Sequence, residues 1–505
     1  MKKMKHLLCL SVFTLILGAG CNNGANNATT SNEKTVSSND EKSQPNIIVI
    51  FTDDMGYADL GVQGQLDDLK TPHLDNLAKT GVRMTSGYVT APQCIPSRAG
   101  ILSGKYQQRF GLDSNSTIPF PLGEKMIAQR MKEAGYITGM SGKWHLDPNH
   151  TQREWIKEEM PELADKKKIG SSDIPFEKKI PYQATEKGFD FVHQGQINNY
   201  WVNHTLEGEP IEKQHINIPG YRLDIQTQAA VSFINKYKDH PFFYYLAYFA
   251  PHVPLDATEK YLSRFPGDMP ERRRMCLAML AAMDDGVGRI KETLREHNIE
   301  DNTLIVFLSD NGAPLKINKE DLPLTMTGGA WNGSRNDPLV GEKGMVSGGG
   351  VRVPFIMNWP AGLPKGKVYD RPVISLDIAA TSLALAGVEV PEELDGVNVV
   401  PYLNGEKAGD PHDALYWRFW RQSAIRMGDW KYVQYGKEEF LFNLATDEHE
   451  HNDLITENPE KADQLKTKLT QWASELKNPG LTLKGINSQE EEWLTHYFSE
   501  SLSKK

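Results

Sequence analysis

Four short segments of this chain place polar side chains where a hard cation and an anionic ligand could meet. Asp53-Asp54, Lys143 with His145, His252, and Asp310-Asn311 each follow an apolar run directly. Together they supply three carboxylates, an amide, two imidazoles and an ammonium. Asp53, Asp54, Asp310 and Asn311 offer oxygen donors, the chemistry that Ca²⁺ and Mg²⁺ prefer. No close Cys/His spacing of a zinc site accompanies them. Neighbouring carboxylates repel each other without a cation, so Asp53-Asp54 points to a metal. Taken singly, each residue has an ordinary explanation: an Asp after a strand caps a helix or forms a turn, and a lone Lys or His there is solvated.

What raises these residues above that level is the elements that carry them. Asn46–Phe51, Tyr136–Met140, Phe242–Phe249 and Leu304–Leu308 read as strands, and helical spacing covers about 122–134, 224–238, 271–297 and 375–386. Apolar strands alternating with amphipathic helices predict an α/β fold with a mostly parallel sheet between helices. In such a sheet the carboxyl ends of the strands share one edge, where ligands bind. If the four strands pair in parallel, their polar tips converge. Past about residue 405 the texture changes to short strand-like runs, with Gly428-Asp429 as a hairpin turn, followed by helical spacing over 458–476.

The chain has 505 residues, 39% hydrophobic and 24% charged, enough for one large domain and a smaller one. Its net charge of −10 disfavours a broad nucleic-acid surface. Lys2, Lys3 and Lys5 precede an apolar run, Leu7–Leu17, too short to span a bilayer. The run ends in Leu17-Gly18-Ala19-Gly20-Cys21, which resembles a bacterial lipoprotein signal with Cys21 as the lipidated residue. The expected organisation is therefore a signal peptide at 1–20, a polar tether at 21–44, a catalytic domain at 45–404 and a C-terminal subdomain at 405–505. A lipid anchor would hold the exported protein at a membrane, periplasmic or cell-surface. Of the four cysteines, Cys9 leaves with the signal and Cys276 lies in an apolar helical run. Cys94, in a polar loop flanked by prolines, needs another explanation.

Cys94-Ile95-Pro96-Ser97-Arg98, followed by Leu102-Ser103-Gly104-Lys105, resembles the signature of the type I sulfatases, C-x-P-S-R with L-[ST]-G-[KR]. The resemblance extends over roughly residues 45–475 and includes TPHLDNLAKTG, GKWH at 142–145, APH at 250–252, SDNG at 309–312 and NDPLVGEKG at 336–344. Five motifs in the family's order give it weight that one would not. It implies an alkaline-phosphatase-like fold, sulfate-ester hydrolysis, a Ca²⁺ ion in preference to Mg²⁺, and oxidation of Cys94 to formylglycine by a sulfatase-maturating enzyme. Chemistry agrees, since a thiolate is a soft companion for carboxylates around a hard ion and a hydrated aldehyde is an oxygen donor.

Carried onto this sequence, the resemblance makes Asp53, Asp54, Asp310, Asn311 and residue 94 the metal ligands. Arg98 would orient the nucleophile, and Lys143 and Lys343 would clamp the sulfate. His252, with Lys343 as a possible partner in the role, would protonate the leaving oxygen. His145 would take a proton from the second hydroxyl. One departure stands out. The family often reads E-G-G-x-R-x-P after the lysine, whereas Gly348 holds the acidic place here, inside Ser347-Gly348-Gly349-Gly350.

Specificity must come from other loops. His193, Asn198, Asn199, Tyr200, Trp201 and His204, then Trp331 and Arg335, have the ring faces and polar tips that bind sugars, though at any one position an aromatic residue more often anchors its loop. Trp417, Arg418 and Trp420 are further candidates. The run Asp447-Glu448-His449-Glu450-His451 has metal-ligand residue types but resembles a turn of the family. The expected substrate is a sulfated carbohydrate, such as a mucin O-glycan or glycosaminoglycan. Two rivals stay open: a phosphonate or phosphate-ester hydrolase on the same fold, and a catalytically dead glycan-binding lipoprotein.

Overall fold

The computed structural model describes residues 44–481 and 485–503. The leader, Cys21 and the tether as far as residue 43 lie outside the described residues. Gln44 already belongs to the folded body, its side-chain amide donating to the Ala386 carbonyl at 2.7 Å. Among the described residues no helix is long and apolar enough to cross a membrane.

A ten-stranded sheet runs through the protein in the order 367–369, 82–84, 355–358, 303–309, 46–52, 242–247, 137–142, 191–195, 199–204, 210–217. The four strands expected from the sequence form its centre and all pair in parallel. They read as unbroken apolar runs because both faces are covered. Ile47, Val49 and Phe51 face a core containing Ile95, Ala99 and Ala379, while Ile48 and Ile50 face one containing Phe233 and Leu280. Helices Arg222–Tyr237 and Glu271–Glu296 cover the second face, and Cys94–Ser103 and Asp377–Leu385 the first. Cys276 is fully buried there, as its apolar surroundings in sequence suggested.

The edges depart from expectation. Phe355–Asn358 joins antiparallel to 303–309, and the sheet continues past 191–195 as an antiparallel pair, Asn199–His204 and Pro210–Asn217. Thus much of the segment expected to be a substrate loop is strand. The pattern at 122–134 shortens to a helix over Ile127–Glu133, beginning after Pro121 and Gly123.

In the C-terminal part, Leu415–Phe419, Gln422–Met427, Trp430–Tyr435 and Glu438–Asn443 form an antiparallel sheet. The expected turn at Gly428 has φ 57°, and helix Pro459–Ser474 packs through Leu465, Leu469 and Trp472. A helix not foreseen, Ser488–Tyr497, begins at a capping box between Asn487 and Glu490.

Parallel register leaves no room at the tips. Gly142, the last strand residue before Lys143, has φ 100°, and a Cβ there would sit 1.9 Å from the Ala247 carbonyl oxygen. Gly142→Ala is expected to cost at least about 2 kcal/mol of stability, read as a lowered thermal midpoint. An unchanged midpoint would contradict this packing.

Candidate active site

Backbone pairing continues past the strands and fixes the polar tips against each other. Asp53 N–H donates to Ala250 O at 3.0 Å, Lys143 N–H to Ala247 O at 2.8 Å, and Asp310 N–H to Thr52 O at 3.1 Å. Asp54 takes φ 62° and donates its own N–H to Asp310 Oδ1 at 3.0 Å. His145 also lies in the left-handed region, at φ 61°. Strain of this kind persists where the surroundings hold it, commonly at functional sites.

Cys94 begins the helix Cys94–Ser103 and is 1% exposed. Its Sγ lies 3.6 Å from Asp53 Oδ1, 3.9 Å from Asp54 Oδ1 and 3.4 Å from Lys343 Nζ. Burial, with Asp310 adding to it, pushes the thiol pKa up. One turn on, the buried Arg98 donates from Nη2 to Asp310 Oδ2 at 2.7 Å and stands 3.6 Å from Asp53. Helical spacing of four puts Cys94 and Arg98 on one face.

Three buried carboxylates therefore meet three cations. Lys143 Nζ spans both oxygens of Asp53 at 2.8 and 2.7 Å, and Lys343 Nζ spans those of Asp54 at 2.6 and 2.8 Å. Burial opposes ionisation of Asp54, but Lys343, His252 and Lys143 overcome it and hold its carboxyl well below the usual range. Asp310 goes the other way, pushed up to about 6 by burial and then by the charge of Asp53. Burial, followed by Lys143, depresses both His252, to about 3, and His145. His252 Nδ1 must donate to the Val253 carbonyl at 2.5 Å, which leaves Nε2 facing Asp54 Oδ2 at 3.6 Å.

The donor set fits a hard divalent cation. Asp53, Asp54, Cys94 and His252 each offer one ligand atom, all within 4.8 Å of one another. Asn311 donates through Nδ2 to Asp54 Oδ1 at 2.7 Å, while its buried Oδ1 has no hydrogen-bond partner. An orphaned buried amide oxygen beside carboxylates is what a cation ligand looks like before its ion. Asp310 enters less directly than expected, since its oxygens serve Asp54 N–H and Arg98.

Beside His145 opens a cavity of about 340 Å³. Trp201, Phe176 and His215 form one wall, with ring centroids 4.7–5.1 Å apart. Gln183, Gln194, Asn199, Asp147 and Lys179 supply polar groups. Of the expected substrate residues, Trp201 and Asn199 are there. Four others are packed inside the fold instead, among them the fully buried Tyr200, which donates to Ile197 O at 2.9 Å. His193 is fully buried in its strand with neither ring nitrogen bonded, His204 stacks on Phe191 at 4.4 Å, and Trp331 donates to Ser334 O at 2.7 Å. Strand alternation explains the split: Trp201 and His204 are three apart and point to opposite faces. Arg335 pairs with Asp337 at 2.8 Å, outside this lining. Trp417 is core, and Arg418 ties Asp113 to the carbonyls of Lys477, Asn478 and Gly480. Trp420 is 37% exposed. Asp147, Phe176, Lys179 and His215 were missed; only the closeness of Asp147 to His145 could have signalled one of them.

An open α/β sheet whose carboxyl edge gathers buried acids, cations and a helix-leading cysteine defines an ester hydrolase of the alkaline-phosphatase-like class. Residues 45–388 match the sulfatase family, and residues 341–478 match the C-terminal region of N-sulphoglucosamine sulphohydrolase. The chain belongs to the sulfatase family and is a sulfuric ester hydrolase. Among solved structures it is similar to Ps i-CgsB in complex with k-i-k-neocarrahexaose, with TM-score 0.70 and 31% identity, over 89% of this chain and 97% of that one. It is 29% identical to the uncharacterized sulfatase YdeN of Escherichia coli K12, over 81% of this chain and 76% of that protein. Human N-acetylgalactosamine-6-sulfatase is 31% identical over 71% of this chain and 66% of its own length.

A bound cation should stabilise the folded state by mass action, by about 2.7 kcal/mol at a hundredfold excess over Kd. Ca²⁺ is therefore expected to raise the thermal midpoint of the chelator-treated protein, with no such response in Asp53→Asn. Equal responses in both proteins would remove the metal from this site.

Proposed function

We propose that this sulfatase hydrolyses sulfate esters of carbohydrates, using formylglycine made from Cys94 and a calcium ion, and that it works outside the cytoplasm on a lipid anchor at Cys21. The observation that carries the chemistry is the position of Cys94: its Sγ is buried between Asp53 and Asp54 with Lys343 Nζ at 3.4 Å. A group there faces cation ligands on one side and an ammonium on the other.

Asp53, Asp54, Asp310 and Asn311 hold the cation in this reading. When present, the aldehyde's hydrate supplies an oxygen nucleophile and a second hydroxyl, and the cation supplies charge stabilisation. Lys143 and Lys343 bind the sulfate oxygens and stabilise charge as the S–O bond breaks. Arg98, locked to Asp310, orients residue 94. His252, its Nδ1–H tied to Val253, presents Nε2 toward the leaving oxygen and donates a proton there as the imidazolium, the form that the negative charge of a bound sulfate ester favours, with Lys343 Nζ sharing the role. His145, whose Nδ1 is buried without a partner, accepts a proton at residue 94.

The cavity next to His145 supports a sugar as the leaving group. Ring walls suit the apolar face of a pyranose and side-chain amides suit its hydroxyls. Asp147 and Lys179 stand 3.9 Å apart and cancel in charge, so the lining favours an uncharged, hydroxyl-rich ring. The names of two relatives, one bound to a neocarrahexaose and one an N-acetylgalactosamine-6-sulfatase, agree with that class.

With the maturating enzyme co-expressed, the protein should release sulfate from sulfated neutral monosaccharides, and Cys94→Ala should lose at least about 10³-fold in kcat. Preference for phosphate or phosphonate esters, or full activity of Cys94→Ala, rejects the proposal. For the anchor, cells should incorporate labelled fatty acid into the wild type but not into Cys21→Ala. Equal labelling would reject it.

A further inference from the structure

The glycine at position 348 leaves a specific space, and a residue far away in sequence fills it. Glu450 comes from the Asp447–His451 run whose residue types suggested a metal. Asp447 Oδ2 instead accepts the N–H groups of His451 and Asn452 at 2.9 and 2.8 Å, closing a turn. Glu450 takes φ 56° in that turn and is 2% exposed. Its Oε1 accepts from Lys431 Nζ at 2.7 Å and from Gly348 N–H at 2.9 Å. A Cβ built on Gly348 would lie 3.2 Å from that same oxygen. A side chain at 348 and the Glu450 carboxylate thus compete for one place.

We propose that Glu450 takes over from the C-terminal subdomain the acidic position that the family motif assigns to residue 348, and so positions the backbone that carries Lys343 and Asn311. Three hydrogen bonds lead there. Glu450 holds Gly348 N–H, and Gly350 O, in the same turn, accepts Gly312 N–H at 3.0 Å, next to Asn311. Lys343 N–H closes the circuit on Ala313 O at 3.0 Å. The layers touch: a Cβ on Gly312 would come within 1.8 Å of Gly349 O, and one on Gly350 within 1.9 Å of Met345 O. Close-packed backbone of this kind passes on a displacement rather than absorbing it.

Stability alone does not account for the pair. Lys431 is fully buried with Glu450, and two desolvated charges are no more stabilising than well-packed apolar residues of similar volume. Glu450 Oε2 has no hydrogen-bond partner, a further cost that packing does not require. An anion that fixes a backbone N–H at a set place gives both features a purpose.

The inference rests on the proposed roles of Lys343 and Asn311, and its test has a second readout. Sulfate release and Ca²⁺ affinity by titration calorimetry are measured for the wild type, Glu450→Gln, Glu450→Ala, and Glu450→Ala combined with Gly348→Glu. Loss of such an outer contact typically costs 10–100-fold in metal affinity or activity, so Glu450→Ala is expected to fall about tenfold in kcat and in Ca²⁺ affinity, with KM changed less than about twofold. Moving the carboxylate to 348 should restore both to within about threefold of wild type. Glu450→Gln keeps the shape and stays informative if the alanine variant does not fold; it is expected to lose kcat through the uncompensated Lys431. Wild-type kcat and Ca²⁺ affinity in Glu450→Gln, or a relocated carboxylate that restores neither, overturns the proposal. A wild type that releases no sulfate would instead indict the functional reading, while the calorimetry still reports on Glu450.

Discussion

Everything in this protein's site is arranged around like charges forced close together away from water. Ligand atoms of Asp53 and Asp54 lie within 4.8 Å, and at an effective dielectric of about 20 two such charges repel by roughly 3–4 kcal/mol. The fold answers with Lys143 on Asp53, Lys343 on Asp54, and Arg98 on Asp310 and Asp53. Acids and bases then balance, so a divalent cation would turn the pocket positive and attract an anionic ester. The cost is also visible in Asp310, whose pKa rises to about 6 because burial, and then the charge of Asp53, oppose its ionisation.

That arrangement constrains the backbone. The carboxylates and cations come from five separated segments: parallel strands with their tips on one edge carry Asp53, Asp54, Lys143 and Asp310, the helix Cys94–Ser103 carries Arg98, and a loop carries Lys343. Where the segments cross, glycine is the residue that fits, as at Gly142 against Ala247 and Gly312 against Gly349. In the glycine-rich run Gly349 and Gly350 have the same reason, close backbone approach, while Gly348 gives its N–H to the Glu450 carboxylate.

The centre of the fold was legible because local pattern and chemistry coincide there. Buried parallel strands are continuous apolar runs, and each ends on the polar residues that matter, so Asp53, Lys143 and Asp310 could be placed before any coordinates. Cys94 and Arg98 were legible through the family motif. The cavity beside His145 was not. It depends on which face of Asn199–His204 turns outward, and pairing with 191–195 and 210–217 decides that over long range. Hence Trp201 lines the cavity and His204 packs on Phe191 instead, while Phe176 and Lys179 sit in segments with no pattern to mark them. Glu450 was visible as a residue type but not as a partner of Gly348, because 102 positions separate them.

Glu342, the neighbour of Lys343, is fully buried and accepts from Trp493 Nε1 at 3.1 Å and Tyr497 Oη at 3.3 Å. The Trp493 ring also closes over Gly344, where a Cβ would meet it at 2.5 Å. Both aromatic residues lie beyond residue 478, where the family matches stop. A boundary drawn at residue 478 would therefore cut away the aromatic contacts that hold Glu342 and Gly344 on either side of Lys343.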